Sequence, residues 1–274
     1  MRFLPNAEQV RNMDTQALRG AFLVDDLFQA GEARLRFADL DRVVLGGVTP
    51  TSQPLALETP AQMAAAFFCE RRELGVLNIG GAGWVEVDGT RHAMANRDGL
   101  YVGRGSREVR FGSDDAQRPA KFYLVSYPAH ASYPTAHVSR AEANVTELGS
   151  QEEANRRKLY KYFHPQGIQT AQLVMGFTQM EPGSVWNTMP CHTHTRRTEV
   201  YLYFDVPDDA VVFHLMGEPD QTRDLVVRDA QVVLSPAWSI HSGCGTRAYT
   251  FCWAMGGENQ DFADMQHVSM QDLR

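Results

Sequence analysis

The stretch MPCHTHTRRTEVYLYF, residues 189–204, decides how this chain is read. Its first part places two histidines two residues apart, and its second is a run of β-branched and aromatic residues. In an extended strand, residues i and i+2 face the same way, so His192 and His194 point together to one side. Glu199 lies five residues beyond His194, an odd spacing that would put it on the opposite face of an unbroken strand. The intervening TRRT is polar, so the chain is expected to turn there and bring Glu199 back on the next strand. Cys191 abuts the pair, but in the same extended geometry its thiol points away from both rings.

A fourth donor stands further on. SPAWSIHSG, residues 235–243, carries His241 shortly after Pro236 and near a glycine-rich turn. Three imidazoles and one carboxylate suit Zn, Fe, Mn, Ni or Cu. Such a set with open positions is catalytic in character, because structural zinc sites are closed and cysteine-rich. His-x-His alone is a weak signal. Joined to a glutamate after four further residues and to Pro-x(4)-His on a later strand, it resembles the two-part signature of the cupin barrel, with Trp238 where glycine is usual. The remaining histidines lack partner spacing. His214 alternates within AVVFHLMG as a core or face residue, and His92, His130, His137, His164 and His267 read as structural or surface groups.

Outward from the motif the chain reads as β. Short β-branched or aromatic runs bounded by Gly, Pro or Asp occur at 43–48, 74–80, 83–89, 99–103, 108–112 and 121–127. They resume at 172–180, 200–206, 210–217, 224–229, 231–236 and 249–256. EVDGTRH supplies Asp-Gly for a hairpin turn. Residues 15–28 have helical spacing. Residues 128–168 read as a linker with a short helix at 151–160, whose Arg156, Arg157, Lys158 and Lys161 would face solvent. The end of the chain, from Glu258 on, reads as a mixed tail. Two β-rich halves of similar length result, and they echo each other: RRELGVLNI (71–79) resembles RRTEVYLYF (196–204), and RDGLYVG (97–103) resembles RDAQVVL (228–234). The expected fold is all-β dominated, a double cupin of two jelly-roll β-barrels with a few short peripheral helices. The expected division is a degenerate, metal-free N-terminal barrel with its helical arm over 1–150 and a metal-bearing C-terminal barrel over 151–274.

Composition narrows the class. The chain has 274 residues, 43% of them hydrophobic, and a net charge of −7. That is enough to bury one large core or two smaller ones, and it lacks the basic excess that nucleic acids or anionic membranes select. The longest wholly apolar run, MAAAFFC at 63–69, is far too short to span a bilayer, and the N-terminus has no apolar signal segment. A cytoplasmic protein is expected, with Cys69, Cys191, Cys244 and Cys252 as free thiols.

The segments DTQALRGAFLVDDLF, CERRELGVLNIGGAG, RDGLYVGRGSREV, NRRKLYKYF, WNTMPCHTHTRRTEVYLYF, SPAWSIHSGCGTRAYTFCWAMGGENQ and the DLR ending are similar, in order, to the 5-keto-4-deoxyuronate isomerase family, over essentially the whole chain. The resemblance implies one zinc in the C-terminal barrel, held by His192, His194, Glu199 and His241. It implies a homo-hexamer and a role in the catabolism of unsaturated uronates from pectin or related polysaccharides. It also implies a small anionic sugar-acid substrate, 4-deoxy-L-threo-5-hexosulose uronate, converted to 3-deoxy-D-glycero-2,5-hexodiulosonate.

Aldose–ketose isomerisation moves a proton from C2 to C1. It needs a Lewis acid, a base, and a cation for the carboxylate. Arg196 and Arg197, between the ligands, are the candidate cations. Glu199, Tyr203 on the strand beyond it (with Tyr201), and Glu258 in GGENQ are candidate bases. Trp186 and Trp238 flank the motifs as candidate pocket walls. The competing reading is an Fe(II)-dependent cupin dioxygenase using the same ligands. A sugar-sensing regulator is disfavoured by the lack of a helix-turn-helix segment and by the acidic charge.

Overall fold

The computed structural model describes residues 1–258, 260–261 and 264–274, so residue 259 of the GGENQ stretch and residues 262–263 of the tail lie outside the described residues. Two large antiparallel sheets form the middle of the molecule. One has the strand order Ala136–Val138, Gly99–Val102, Arg72–Asn78, Phe122–Pro128, Val44–Val48, Ala33–Phe37. The other runs Leu23–Val24, Gln231–Ser235, Arg197–Phe204, Thr250–Gly257, Val174–Met180, Arg157–Phe163, Asn144–Leu148. A smaller sheet belongs with each: Leu55–Ala56, Val109–Ser113, Gly83–Val87, Thr90–Met94 in the first half, and Trp186–Asn187, Ser242–Gly245, Val212–Glu218, Gln221–Val227 in the second. This is the all-β double-cupin architecture, each half built from two facing sheets.

The sequence echo is a structural repeat. Arg72–Asn78 and Arg197–Phe204 hold the same place in their sheets, each flanked by the echoing strand Gly99–Val102 or Gln231–Ser235. Laid on each other without a gap, the two segments put Leu74 where Glu199 stands. Leu74 belongs to the apolar core inside the first half, with Val76, Leu100 and Phe122. Tyr201 and Tyr203, on the face of Glu199, belong to the core inside the second. A third core lies between the large sheets, where Leu77, Tyr123 and Tyr127 meet Phe163, Leu173, Val200 and Leu202. Both large sheets are therefore buried on two faces, which explains why their strands read as continuous apolar runs. The approach is close: a Cβ on Gly75 would stand 2.7 Å from Leu173 Cδ2 and 2.8 Å from Met175 Sδ.

Three local expectations are corrected. The helix expected over 15–28 ends at Phe22; Leu23 and Val24 then pair with Val233 and Val232 at the edge of the second large sheet. Asp14 caps this helix, its carboxylate accepting from Ala17 N–H at 2.8 Å. The helix expected at 151–160 is a turn followed by the strand Arg157–Phe163. Its alternation is the reason: Tyr160 and Tyr162 go into the core between the sheets, and Leu159 packs against the core inside the second half. The linker likewise contains strands at Ala136–Val138 and Asn144–Leu148, and the latter pairs in the second sheet although it precedes residue 150. In the tail, Gln266–His267 pairs with His192–Thr193. Among the described residues, no helix is long and apolar enough to cross a membrane.

Candidate metal centre

His192 opens a two-residue strand, the chain turns at Thr195–Arg196, and Arg197 begins the long strand that carries Glu199. The polar TRRT thus acts as the expected turn, with Arg197 N–H donating to His194 O at 3.3 Å. His241 arrives from just ahead of the strand Ser242–Gly245. His192, His194, Glu199 and His241 are all buried, and their ligand atoms lie within 4.8 Å of one another.

The contacts form a ring. His192 Nε2 stands 3.1 Å from His194 Nε2 and 3.0 Å from His241 Nε2. Glu199 Oε2 stands 3.3 Å from His194 Nε2 and 3.1 Å from His241 Nε2. Neighbouring donors at about 2.1 Å from one ion are separated by about 3.0 Å in octahedral and about 3.4 Å in tetrahedral arrangement. The four separations fall in that interval. Three imidazole nitrogens and a carboxylate oxygen thus converge on one point. A cation satisfies all four, so the donor set fits a metal. Burial first, and then the neighbouring imidazoles, push the His192 pKa down to about 3 and hold that of His241 well below the ordinary histidine range. Both rings are held neutral, the form that binds metal.

The rings are oriented from behind. His194 Nδ1 is 2.9 Å from Asp264 O; a metal on Nε2 leaves the proton on Nδ1, which donates to that carbonyl. Arg197, 1% exposed, donates to the same carbonyl at 3.3 Å and so holds it in place behind His194. Ser235 Oγ is 3.4 Å from His241 Nδ1. The tail strand lies over the site, with His192 opposite His267.

The cluster opens into a cavity of about 280 Å³ whose lining includes His192, His194, Glu199, Tyr201, Trp253 and Arg157. Burial first, then the charge of Glu199, holds the Tyr201 phenol far above its ordinary pKa, so it remains protonated. The structure separates the remaining candidates. Tyr203 lies behind Tyr201 and hydrogen-bonds His214 Nδ1 at 2.7 Å, outside the cavity lining. Arg196 pairs with Glu258 at 2.9 Å on the surface, and neither faces the cavity. Arg197 donates to Asp264 O behind His194 and does not line the cavity. Trp238 packs edge-on to Phe22, and Trp186 pairs with Cys244 in the small sheet; the aromatic walls are Trp253 and Phe251 instead. Cys191 is buried and outside the cluster. His267 and Arg157, which sequence reading assigned to surface or structure, both line the cavity. For Arg157 the signal was the alternation of RKLYKYF, read as a helix face.

The model of the KduI/IolB family matches residues 43–270. A protein of Paraburkholderia phytofirmans named 4-deoxy-L-threo-5-hexosulose-uronate ketol-isomerase is 53% identical over 98% of this chain and 98% of its own. One of the same name from Caldicellulosiruptor bescii is 50% identical over 100% of this chain and 99% of its own. Among solved structures, an IolB-like protein from Salmonella typhimurium superposes with a TM-score of 0.72 at 12% identity, covering 90% of this chain and 96% of that one. Bacillus subtilis oxalate decarboxylase, described with Mn(II) centres, superposes at 0.59 with 11% identity, covering 90% and 80%. At such identities these structures speak to the fold.

Proposed function

The chain belongs to the KduI/IolB family, and from that premise we propose that it is a metal-dependent ketol-isomerase converting 4-deoxy-L-threo-5-hexosulose uronate to 3-deoxy-D-glycero-2,5-hexodiulosonate. The observation that carries this reading is the buried ring of His192, His194, Glu199 and His241 opening into a cavity walled by Tyr201, Phe251 and Trp253. Zinc is the proposed metal. The first half is proposed to be metal-free, with Leu74 at the position of Glu199. The wider setting proposed is a cytoplasmic homo-hexamer acting in pectin and uronate catabolism, without nucleic-acid or membrane partners.

When bound, the metal supplies a Lewis acid that polarises the substrate's aldehyde and the adjoining hydroxyl. The rest falls to side chains. Glu199 turns Oε2 toward the histidines, which leaves Oε1 as the proton carrier. It takes the proton from C2 as the C1=O electron pair moves to oxygen, and returns it to C1 as the C2 ketone forms. The Tyr201 phenol, kept protonated beside Glu199, relays the hydroxyl proton between the two oxygens. Asp264 O, itself held by Arg197, keeps His194 in register. Trp253, Phe251 and Met255 exclude water from this side of the cavity.

The test is anaerobic turnover of freshly generated 4-deoxy-5-ketouronate followed by NMR, with metal content measured on the same sample. Conversion without oxygen, lost together with the metal in His192→Ala and His241→Ala, supports the isomerase. A metal-replete protein that leaves the substrate untouched refutes it, and oxygen uptake with Fe(II) would then identify the dioxygenase.

A further inference from the structure

Isomerisation at one end of a six-carbon acid leaves the carboxylate at the other end to be recognised. The two arginines that sequence spacing offers for this do not reach the cavity. Arg196 is held at the surface by Glu258, and Arg197 is sealed behind His194. Lys158 lies 3.7 Å from Glu147 and 3.5 Å from Glu181, and Arg156 lies 3.9 Å from Glu147, so both are engaged with surface acids.

Arg157 differs from all of these. The strand that begins with it turns Arg157 and Leu159 into the cavity, and among the described lining residues it is the one lysine or arginine. One terminal nitrogen donates to Asn155 O at 2.7 Å, which fixes the plane of the guanidinium. Burial lowers its pKa, and the ionisable groups that act back on it are the phenols of Tyr249 and Tyr201, not carboxylates. A half-buried guanidinium with no carboxylate paired to it among the described residues is a costly group to keep, and a planar donor fork matches a carboxylate in both charge and shape.

We propose that Arg157 anchors the terminal carboxylate of the substrate, so that the acid lies against this strand while its carbonyl end meets the histidine–glutamate ring. The proposal rests on the uronate isomerase reading for the identity of the acid. It makes Arg157 the residue that selects uronates over neutral sugars. It also fixes the direction of the bound chain, carboxylate toward the strand Arg157–Phe163 and reacting carbons toward Glu199 and Tyr201.

The test compares metal-loaded wild type, Arg157→Met and Arg157→Lys on two substrates. One is the 4-deoxy-5-ketouronate and the other its analogue with CH₂OH in place of the carboxylate. Loss of a charge-assisted bidentate contact predicts a KM for the uronate about 10- to 100-fold higher in Arg157→Met. The expected kcat changes little, the neutral analogue is handled as by wild type, and Arg157→Lys recovers part of the loss. An unchanged KM, or equal losses on both substrates with normal metal content, overturns the anchor. Calorimetric binding of D-glucuronate against D-glucose separates the two levels of the argument. Wild type that does not turn over, yet binds D-glucuronate in an Arg157-dependent way, removes the isomerase and leaves the anchor. D-Glucuronate binding that is indifferent to Arg157 removes the anchor whatever the turnover shows.

Discussion

Glu73 joins the two halves, and its removal has a calculable cost. It is 0% exposed, on the face of its strand turned toward the second half. Its Oε1 accepts from Gln172 N–H and Leu173 N–H, each at 2.8 Å. Its Oε2 accepts from Ala171 N–H at 2.6 Å and from Tyr101 O–H at 2.8 Å. Three consecutive backbone donors of the segment leading into Val174–Met180 thus end on one carboxylate of the other half. Glu73→Ala leaves these donors unpaired at about 1–3 kcal/mol each, less whatever water recovers, so about 3–5 kcal/mol of stability is expected to go. For a chain of this size that lowers the melting temperature by about 10 °C. Glu73→Gln keeps the shape but turns an amide NH₂ toward two donors, so about 2–4 kcal/mol is expected. Tyr101→Phe removes a single bond, about 1 kcal/mol. Urea denaturation of metal-loaded protein, followed by tryptophan fluorescence, reads all three. A Glu73→Gln protein within about 0.5 kcal/mol of wild type would refute the reasoning, because the nest would then be satisfied from elsewhere.

Other consequences follow from the site. Arg197→Met removes the donor that holds Asp264 O against His194, and should weaken metal affinity about 10- to 100-fold by chelator competition, with the fold retained. Arg196→Gln and Glu258→Gln break only an exposed pair, so kcat/KM should stay within a few-fold of wild type. Tyr201→Phe should lower kcat far more than KM in the steady-state assay, since its phenol is assigned to proton relay. His214, fully enclosed beside Tyr203, has its pKa pushed down by burial to about 3. Between about pH 6.5 and 3 the unfolded chain binds a proton there that the folded chain does not, so stability falls as the pH drops. His214→Gln should therefore lose about 2 kcal/mol less than wild type between pH 6 and pH 4, measured by denaturant titration at each pH.

The sequence alone determined the parts of this protein that rest on local periodicity and spacing. Strands at 72–78, 197–204 and 250–257 are legible because each is a short apolar run between turn residues. The candidate ligand set is legible because His-x-His, a glutamate after a polar turn and a later Pro-x(4)-His together match the two-part cupin signature. The echo of RRELGVLNI in RRTEVYLYF pointed to a repeat, and the matching sheet positions of the two strands then set Leu74 opposite Glu199. Only the tertiary structure decided which charged and aromatic side chains reach the cavity. Arg157 looked like a solvated helix residue, because RRKLYKYF carries a charge pattern that suits a helix surface equally well. Burial of Tyr160 and Tyr162 between two sheets made it a strand and turned Arg157 inward. Arg196, Arg197 and Glu258 lie beside the ligands in sequence or register, yet a turn carries Arg196 and Glu258 outward and packs Arg197 behind His194. The role of Asp264 rests on a backbone carbonyl 70 residues from His194. No side-chain pattern announces such a contact, because it is set by where the tail crosses the barrel.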